Sequence, residues 1–222
     1  MRAGRVRMRV RGRCSAVVAA LAAAGLLTAC SSGSDDSKSD GEKSSPNASA
    51  STSASPEAVA KGGTVGAKDS ACPLPVTFDF AEKWKPKAVV LEGSELDVLG
   101  KQGTVELTCE IDAKPAGNIG FLRVWTSDAK DDTPREVLEA FVADKRTTKQ
   151  VKYRDTKAGD LTAVEVTYLY ASEALDETKK ERALAVSTPS GPLVLDLGGL
   201  DTQEHEEMLP AYRLAQETMS VE

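Results

Sequence analysis

The sequence predicts an α+β fold in which an antiparallel β-meander sheet carries one inserted helix and one C-terminal helix. Three observations support this fold class. Apolar and polar residues alternate with a period of two in most segments after residue 75, whereas a helical period occurs in only two segments. The strand-like segments also follow one another closely, which favours antiparallel pairing. The composition, 41% hydrophobic and 28% charged, excludes collagen, a coiled coil and a multi-span membrane protein.

The first elements are strands. Val76, Phe78 and Phe80 alternate with polar residues, which predicts an opening strand that bends at residues 84–86, and residues 95–99 should form a short helical turn. A longer alternating strand covers 105–112 and directs Cys109 inward. A loop over 113–118 then leads into a strand over 119–126.

The hydrophobic period changes after residue 132. Thr133, Pro134 and Glu136 fit the N-cap, the N1 proline and the N3 position of a capping box, and an apolar stripe continues to about residue 145. This segment predicts the inserted helix.

Three or four further strands are predicted, at about 149–155, 161–171, 182–188 and 192–198. Asp201 and Glu204 should begin the C-terminal helix, in which Pro210 is expected to produce a kink or a break. The helix face that should pack on the sheet carries Met208, Tyr212, Ala215 and Met219.

The N-terminus has the order of an export signal. Six arginines and no acid precede an apolar run over 16–29, and at 14 residues this run is shorter than the roughly 20 that a spanning helix needs. The run ends in Leu27-Thr28-Ala29-Cys30, which resembles the lipobox of bacterial lipoproteins of the actinobacterial type. The resemblance implies cleavage between Ala29 and Cys30, acylation of Cys30 and anchoring to lipid on the outer face of the cytoplasmic membrane. The alternative is an ordinary secretory signal followed by a coincidental cysteine.

Residues 30–70 form the predicted tether, which comprises Cys30 and a disordered segment rich in Ser and Ala. This segment has no aromatic residue and too few large aliphatic ones to offset the entropy of folding. The globular domain is therefore predicted over 71–222.

The chain has 28 Lys and Arg against 34 Asp and Glu, and six of the basic residues belong to the signal over 1–29, so the mature chain is strongly acidic. We therefore expect no binding to nucleic acid, and membrane contact only through the acyl chains.

Two cysteines remain in the mature domain, Cys72 and Cys109. Outside the cytoplasm they are expected to form a disulfide. Two buried free thiols or a redox pair are the alternatives, although no Cys-x-x-Cys spacing favours redox chemistry.

The order of elements resembles the PsbP-like fold, which occurs in several exported lipoproteins of high-GC Gram-positive bacteria. An entering strand, the turn Trp84-Lys85-Pro86, a long meander, an inserted helix and a final helix carry this resemblance. It implies a small extracytoplasmic domain with a binding or assembly role and without a catalytic residue.

The search for catalytic and metal-ligating residues finds few candidates. His205 is the one histidine and lies among glutamates, so it should be solvated, with a pH-sensing or metal-contacting role as the alternative. Asp128, Asp131 and Asp132 could bind calcium but lack the EF-hand pattern, and acids before a helix are common. No cofactor or metal site is predicted. The aromatic residues should belong to the core, with a ligand cleft as the alternative, and they are Tyr153, Tyr168, Tyr170, Trp84 and Trp125.

The sequence therefore predicts a monomeric, membrane-anchored extracytoplasmic lipoprotein that binds a protein or a small molecule and is not an enzyme. Two alternatives remain at this point. One is a cell-envelope hydrolase that uses a pair of carboxylates, and the other is a structural component of the envelope.

Overall fold

The structure, a computed structural model, describes residues 58–91, 93, 97–172 and 177–221. The predicted signal, Ala29, Cys30 and the tether as far as residue 57 lie outside the described residues. The described elements are, in chain order, β1 (Lys61–Val65), β2 (Val76–Ala81), β3 (Lys85–Ala88), a 3₁₀ turn (Asp97–Gly100), β4 (Lys101–Gln102), β5 (Val105–Asp112), a second 3₁₀ turn (Lys114–Ala116), β6 (Phe121–Thr126), α1 (Pro134–Ala143), β7 (Thr148–Ala158), β8 (Leu161–Ser172), β9 (Glu177–Thr188), β10 (Gly191–Gly198), α2 (Thr202–Glu217) and β11 (Ser220–Val221).

Eight strands form the main sheet, in which every described pair is antiparallel. Its order is β3-β5-β6-β10-β9-β8-β7, and β4 pairs with β5 beside this path. The predicted α+β class with an antiparallel meander, an inserted helix and a C-terminal helix is confirmed. Because β10 lies in the middle of the sheet, its first seven residues are all buried.

The alternation of side chains along the strands divides the interior into two cores. Leu193, Leu195 and Leu197 of β10 belong to the core that contains Met208 and Tyr212 of α2. Val194 points to the opposite face and packs in the core that contains α1. The two helices therefore cover opposite faces of the main sheet.

The second sheet has the order β1-β2-β11, and it corrects the predicted start of the folded domain at residue 71. Residues 61–65 were assigned to the tether, but β1 pairs with β2 and Val65 is fully buried. The segment folds although it is poor in apolar residues, because it forms backbone hydrogen bonds to β2. Gly62 permits this approach, since a Cβ atom there would lie 2.5 Å from the carbonyl oxygen of Ala81.

Helix α1 begins as predicted. The Thr133 side chain accepts from the Glu136 N–H and the Glu136 carboxylate accepts from the Thr133 N–H, which is a capping box. Helix α2 continues through Pro210, so of the two predicted outcomes the break does not occur, and the kink stays a prediction. The packing of its buried face on the sheet outweighs the backbone hydrogen bond that proline removes.

Strand β9 begins at Glu177, five residues before its predicted start. Its first residues are polar, so hydrophobic alternation did not reveal them, yet Lys179 and Lys180 pair with Tyr170 and Leu169 of β8. This extension places Lys179 and Glu181 on the sheet.

None of the helices in the described part of the chain is long and apolar enough to cross a membrane.

Candidate functional site

A cleft of about 310 Å³ opens on the α1 face of the main sheet, and we call it the charged cleft. Its floor continues the rows of side chains that α1 covers: Val194 packs in the α1 core, and Asp196 follows on the same face of β10. The lining residues are Ile119, Gly120, Phe121, Arg123, Lys145, Tyr170, Glu177, Lys179, Glu181, Asp196, Gly198, Gly199 and Leu200.

Glu181 is the centre of a hydrogen-bonded network in this cleft. Lys145 Nζ lies 2.8 Å from its Oε2 and Lys179 Nζ lies 3.1 Å from its Oε1. The Tyr168 hydroxyl also donates to Oε2, at 2.9 Å. Burial opposes ionisation of Glu181, but the two ammonium groups and the tyrosine outweigh it and hold its pKa below the usual range.

The lysines are held in defined positions. Lys179 Nζ donates to the carbonyl oxygen of Gly199 at 2.6 Å, in addition to its ion pair with Glu181. Lys145 Nζ lies 5.4 Å, 5.6 Å and 5.9 Å from the ring centres of Phe141, Tyr168 and Tyr170, within the range of cation–π attraction. Burial lowers the pKa of Lys145, but the carboxylates of Asp196 and Glu181 outweigh this effect and raise it above the ordinary value.

Asp196 is the exception in this network because its carboxylate is not satisfied. The residue is 2% exposed, and its Oδ1 atom is buried without a hydrogen-bond partner among the described residues. Burial raises the pKa of Asp196 above its ordinary value, and the attraction of Lys145 and Arg123 offsets this only in part. Arg123, its cross-strand neighbour on β6, instead forms an ion pair with Glu110 at 2.7 Å.

Two exposed aliphatic residues form part of the mouth of the cleft, to which the exposed Glu177 also contributes. Ile119 and Leu200 are 53% and 50% exposed, and both lie in loops beside the lined strands. The Glu204 carboxylate of α2 accepts hydrogen bonds from the backbone N–H groups of both residues. The start of α2 therefore positions these two loops around the cleft.

A second buried carboxylate, that of Glu165 on β8, is fully engaged by hydrogen bonds and ion pairs. Arg182 and Arg154 donate to its two oxygens at 2.9 Å and 2.7 Å, and the Tyr212 hydroxyl donates to it at 3.3 Å. These contacts connect β7, β8, β9 and α2 on the face opposite the charged cleft. Every oxygen of this carboxylate has a partner, so we assign the cluster to stability.

The predicted solvation of His205 is wrong, because the residue is only 2% exposed. Its spacing from Met208 and Tyr212 places it on the buried face of α2, whereas Glu206 and Glu207 are exposed. Burial lowers its pKa, with a further contribution from Arg182, and its Nδ1 atom has no hydrogen-bond partner among the described residues.

The other predicted site residues are distributed over the fold. Cys72 and Cys109 form the predicted disulfide, with Cα atoms 5.9 Å apart, which joins the chain before β2 to β5. Asp128, Asp131 and Asp132 precede α1, and within the described ranges no group of three or more His, Cys, Asp or Glu side chains is arranged to hold a metal ion.

The aromatic residues are mostly core residues, as predicted. Trp84 lies in the α2 core, Trp125 and Tyr168 lie in the α1 core, and Tyr153 packs against the latter. Tyr170 also packs against this core, but it lines the charged cleft as well. A place in a cleft was the alternative that the sequence analysis gave for the aromatic residues.

Lys145, Glu181 and Asp196 were not among the site residues predicted from the sequence. For Asp196 a signal was present, because it interrupts the apolar run Leu193-Val194-Leu195-Asp196-Leu197 of a strand that is buried on both faces. Lys145 and Glu181 have no comparable signal, since their partners come from other elements.

Comparison with known proteins identifies a family and solved structures of similar fold. The solution structure of cyanobacterial PsbP (CyanoP) from Synechocystis sp. PCC 6803 matches at a TM-score of 0.47 and 11% identity, covering 67% of this chain and 87% of that chain. The order of elements predicted this similarity, and no functional statement rests on it. No curated protein is a significant match to the sequence. The profile of the family described as "Uncharacterised lipoprotein" (Lipoprotein_23) matches residues 42–219. Because this match covers most of the sequence, the chain belongs to that lipoprotein family.

Proposed function

We propose that this lipoprotein is anchored through Cys30 to the outer face of the cytoplasmic membrane and that its domain binds a small polar ligand in the charged cleft. The family assignment and the Leu27-Thr28-Ala29-Cys30 motif support the anchoring. One observation carries the binding role: the carboxylate of Asp196 is buried at the cleft and lacks a hydrogen-bond partner for Oδ1.

An unpartnered buried carboxylate is unfavourable for folding, which is why most buried polar groups have partners. A leucine or valine at position 196 would fit the apolar run of β10 without this penalty. Perturbed ionisable groups concentrate at functional sites, where the lost stability serves binding or catalysis. A ligand that donates a hydrogen bond to Asp196 would satisfy the group that the fold leaves open.

The dimensions and lining of the cleft agree with a small molecule as the occupant. Its volume of about 310 Å³ lies at the lower end of the roughly 300–1,000 Å³ typical of small-molecule sites. Such sites combine aromatic or aliphatic walls with a few positioned polar groups, as Phe121, Tyr170 and Leu200 do here with the charged residues.

Hydrolysis by a carboxylate pair is the second candidate function. Glu181 and Asp196 line one cleft and their pKa values are shifted in opposite directions, which is the pattern of an acid and a base. However, both oxygens of Glu181 already accept hydrogen bonds or ion pairs from Lys145, Lys179 and Tyr168. Because these contacts also hold the pKa of Glu181 below its usual range, its carboxylate is a weak base, and binding is the better supported function.

Native mass spectrometry of the full-length protein, extracted from its host in mild detergent, tests the binding role. We expect the wild-type chain to carry a reproducible small adduct that Asp196→Asn loses. Asp155→Asn is the matched control, because Asp155 is an exposed strand aspartate on β7, and it should keep the adduct. An adduct of equal occupancy in both variants would contradict binding at Asp196.

The anchor has a separate test. A Cys30→Ala variant should leave the membrane fraction and retain its signal, which would alter its electrophoretic mobility. Membrane association at unchanged mobility would refute the anchoring role of Cys30.

A further inference from the structure

We infer that the charged cleft binds a zwitterion of the α-amino acid class with an aliphatic side chain, whose ammonium group meets Asp196 and whose carboxylate meets Lys145 and Lys179. This inference rests on the proposed function and adds the chemical class of the ligand. It follows from the charge, the free hydrogen-bonding capacity and the exposed aliphatic residues of the cleft.

The charge of the lining selects the class of ligand. Among the described residues that line the cleft, three are cationic and three are acidic: Arg123, Lys145, Lys179, Glu177, Glu181 and Asp196. A simple anion would approach the carboxylate of Asp196, whose Oδ1 atom has no partner, and a simple cation would approach the two ammonium groups. A ligand with one charge of each sign avoids both repulsions and complements both parts of the site.

The hydrogen-bonding groups of the cleft that remain free also favour a ligand with one charge of each sign. Asp196 offers an acceptor, since its Oδ1 atom has no partner. Each lysine ammonium has three N–H donors. Lys145 donates one of them to Glu181, while Lys179 uses two, for Glu181 and the Gly199 carbonyl. The remaining ammonium donors suit a carboxylate, and the Asp196 acceptor suits an ammonium group.

The two recognition elements are close enough for one small molecule. Asp196 on β10 is paired with Ala183 on β9, and Glu181 lies two residues further along β9 on the same face. Such diagonal neighbours are about 7–8 Å apart at the backbone. Lys145 and Lys179 are bound to Glu181, so the anion-binding groups lie beside the Asp196 carboxylate.

The mouth of the cleft provides a place for an aliphatic side chain. Ile119 and Leu200 are half-exposed aliphatic residues that line it, and Phe121 of β6 adds an aromatic side chain to the same lining. Glu204 of α2 accepts from the backbone of both aliphatic residues, so this apolar surface is positioned by hydrogen bonds. A ligand of charged head and aliphatic tail matches this combination of surfaces.

Isothermal titration of the detergent-extracted full-length protein with leucine, N-acetylleucine and leucinamide tests the inference. N-acetylleucine lacks the ammonium group and leucinamide lacks the carboxylate. We expect leucine to bind and each derivative to bind about tenfold more weakly or worse, the loss expected for one charge-assisted hydrogen bond. The variants assign each charge to its partner: Asp196→Asn should abolish the preference for leucine over N-acetylleucine, and Lys179→Met the preference over leucinamide.

Asp155→Asn is again the control and should bind leucine as the wild type does. Circular dichroism of each variant shows whether it is folded. Equal binding of leucine to the wild type and to Asp196→Asn would overturn the inference.

A titration with glucose, a neutral polyhydroxyl probe, separates this inference from the proposed function. If glucose binds in an Asp196-dependent manner and leucine does not bind at millimolar concentration, the zwitterion is wrong and the small-ligand function stands. If neither probe binds and the native mass spectrum shows no adduct, both proposals are wrong.

Discussion

Replacing Asp196 with asparagine should stabilise the ligand-free domain, although it should weaken ligand binding by about tenfold or more. Asparagine has nearly the same shape as aspartate, so the packing of β10 between its neighbours is retained. The charge that burial disfavours is removed, and the raised pKa of Asp196 shows that burial outweighs the attraction of Lys145 and Arg123. The ionised carboxylate is therefore a net cost to the folded state at neutral pH.

The size of the effect follows from the unsatisfied Oδ1 atom. A buried polar group without a partner costs about 1–3 kcal/mol, and more when it is charged. The asparagine amide still leaves one acceptor unpartnered, and Lys145 loses a neighbouring negative charge. We therefore expect the free energy of unfolding to rise by about 1–2 kcal/mol. For a domain of this size, such a change raises Tm by about 2–8 °C.

The pH dependence of stability gives a second signature. Because the pKa of Asp196 is higher in the folded than in the unfolded state, the folded protein binds more protons between the two values. Its favourable contribution is complete below the unfolded pKa, near 3.9, and is lost as the pH rises through the folded pKa. The stability advantage of Asp196→Asn should therefore shrink on acidification.

Urea unfolding followed by circular dichroism, at neutral pH and at pH values falling towards 4, measures both effects. The control Asp155→Asn should stay within about 0.5 kcal/mol of the wild type. A destabilised Asp196→Asn protein would refute the reasoning, because it would show that Asp196 is satisfied by its cationic neighbours. An advantage that is independent of pH would refute it as well.

Three further predictions concern the stability of the fold, each checked by urea unfolding. The double substitution Cys72→Ala and Cys109→Ala should lower the free energy of unfolding by about 4 kcal/mol, since the disulfide closes a loop of 37 residues, and an unchanged value would contradict it. Glu181→Gln should cost about 3 kcal/mol because it leaves two largely buried lysines without their carboxylate. The control Glu139→Gln, which breaks an exposed pair, should cost less than about 1 kcal/mol, and equal losses would count against the buried network. The pKa of His205 is lower in the folded than in the unfolded state, so neutral His205 stabilises the fold above about pH 6.5. This contribution to the free energy of unfolding is lost as the pH falls through the folded pKa, and the loss should be absent in His205→Gln.

Local features of the chain were sufficient for most of the fold. Alternation along 105–112 predicted β5, because a strand that is buried on one face places apolar residues at every second position. The strand over 192–198 was also predicted, and it forms β10. The N-cap Thr133 and its Glu136 partner predicted the start of α1, since the capping box involves only neighbouring residues. The predictions that differed from the structure involve distant partners: β1 and the start of β9 depend on pairing with other elements.

In the charged cleft, too, some features follow from the local sequence and others depend on distant partners. The sequence by itself determined the α+β class, the cysteine pair and the likeness of residues 27–30 to a lipobox, because periodicity and spacing within short segments are enough for each. It also contained the aspartate that interrupts the apolar run of β10. Only the tertiary structure decided that Lys145, from the chain after α1, and Glu181, from β9, meet at this aspartate's side of the sheet. Strand register and helix placement bring these charges together, and both depend on contacts between residues far apart in the chain.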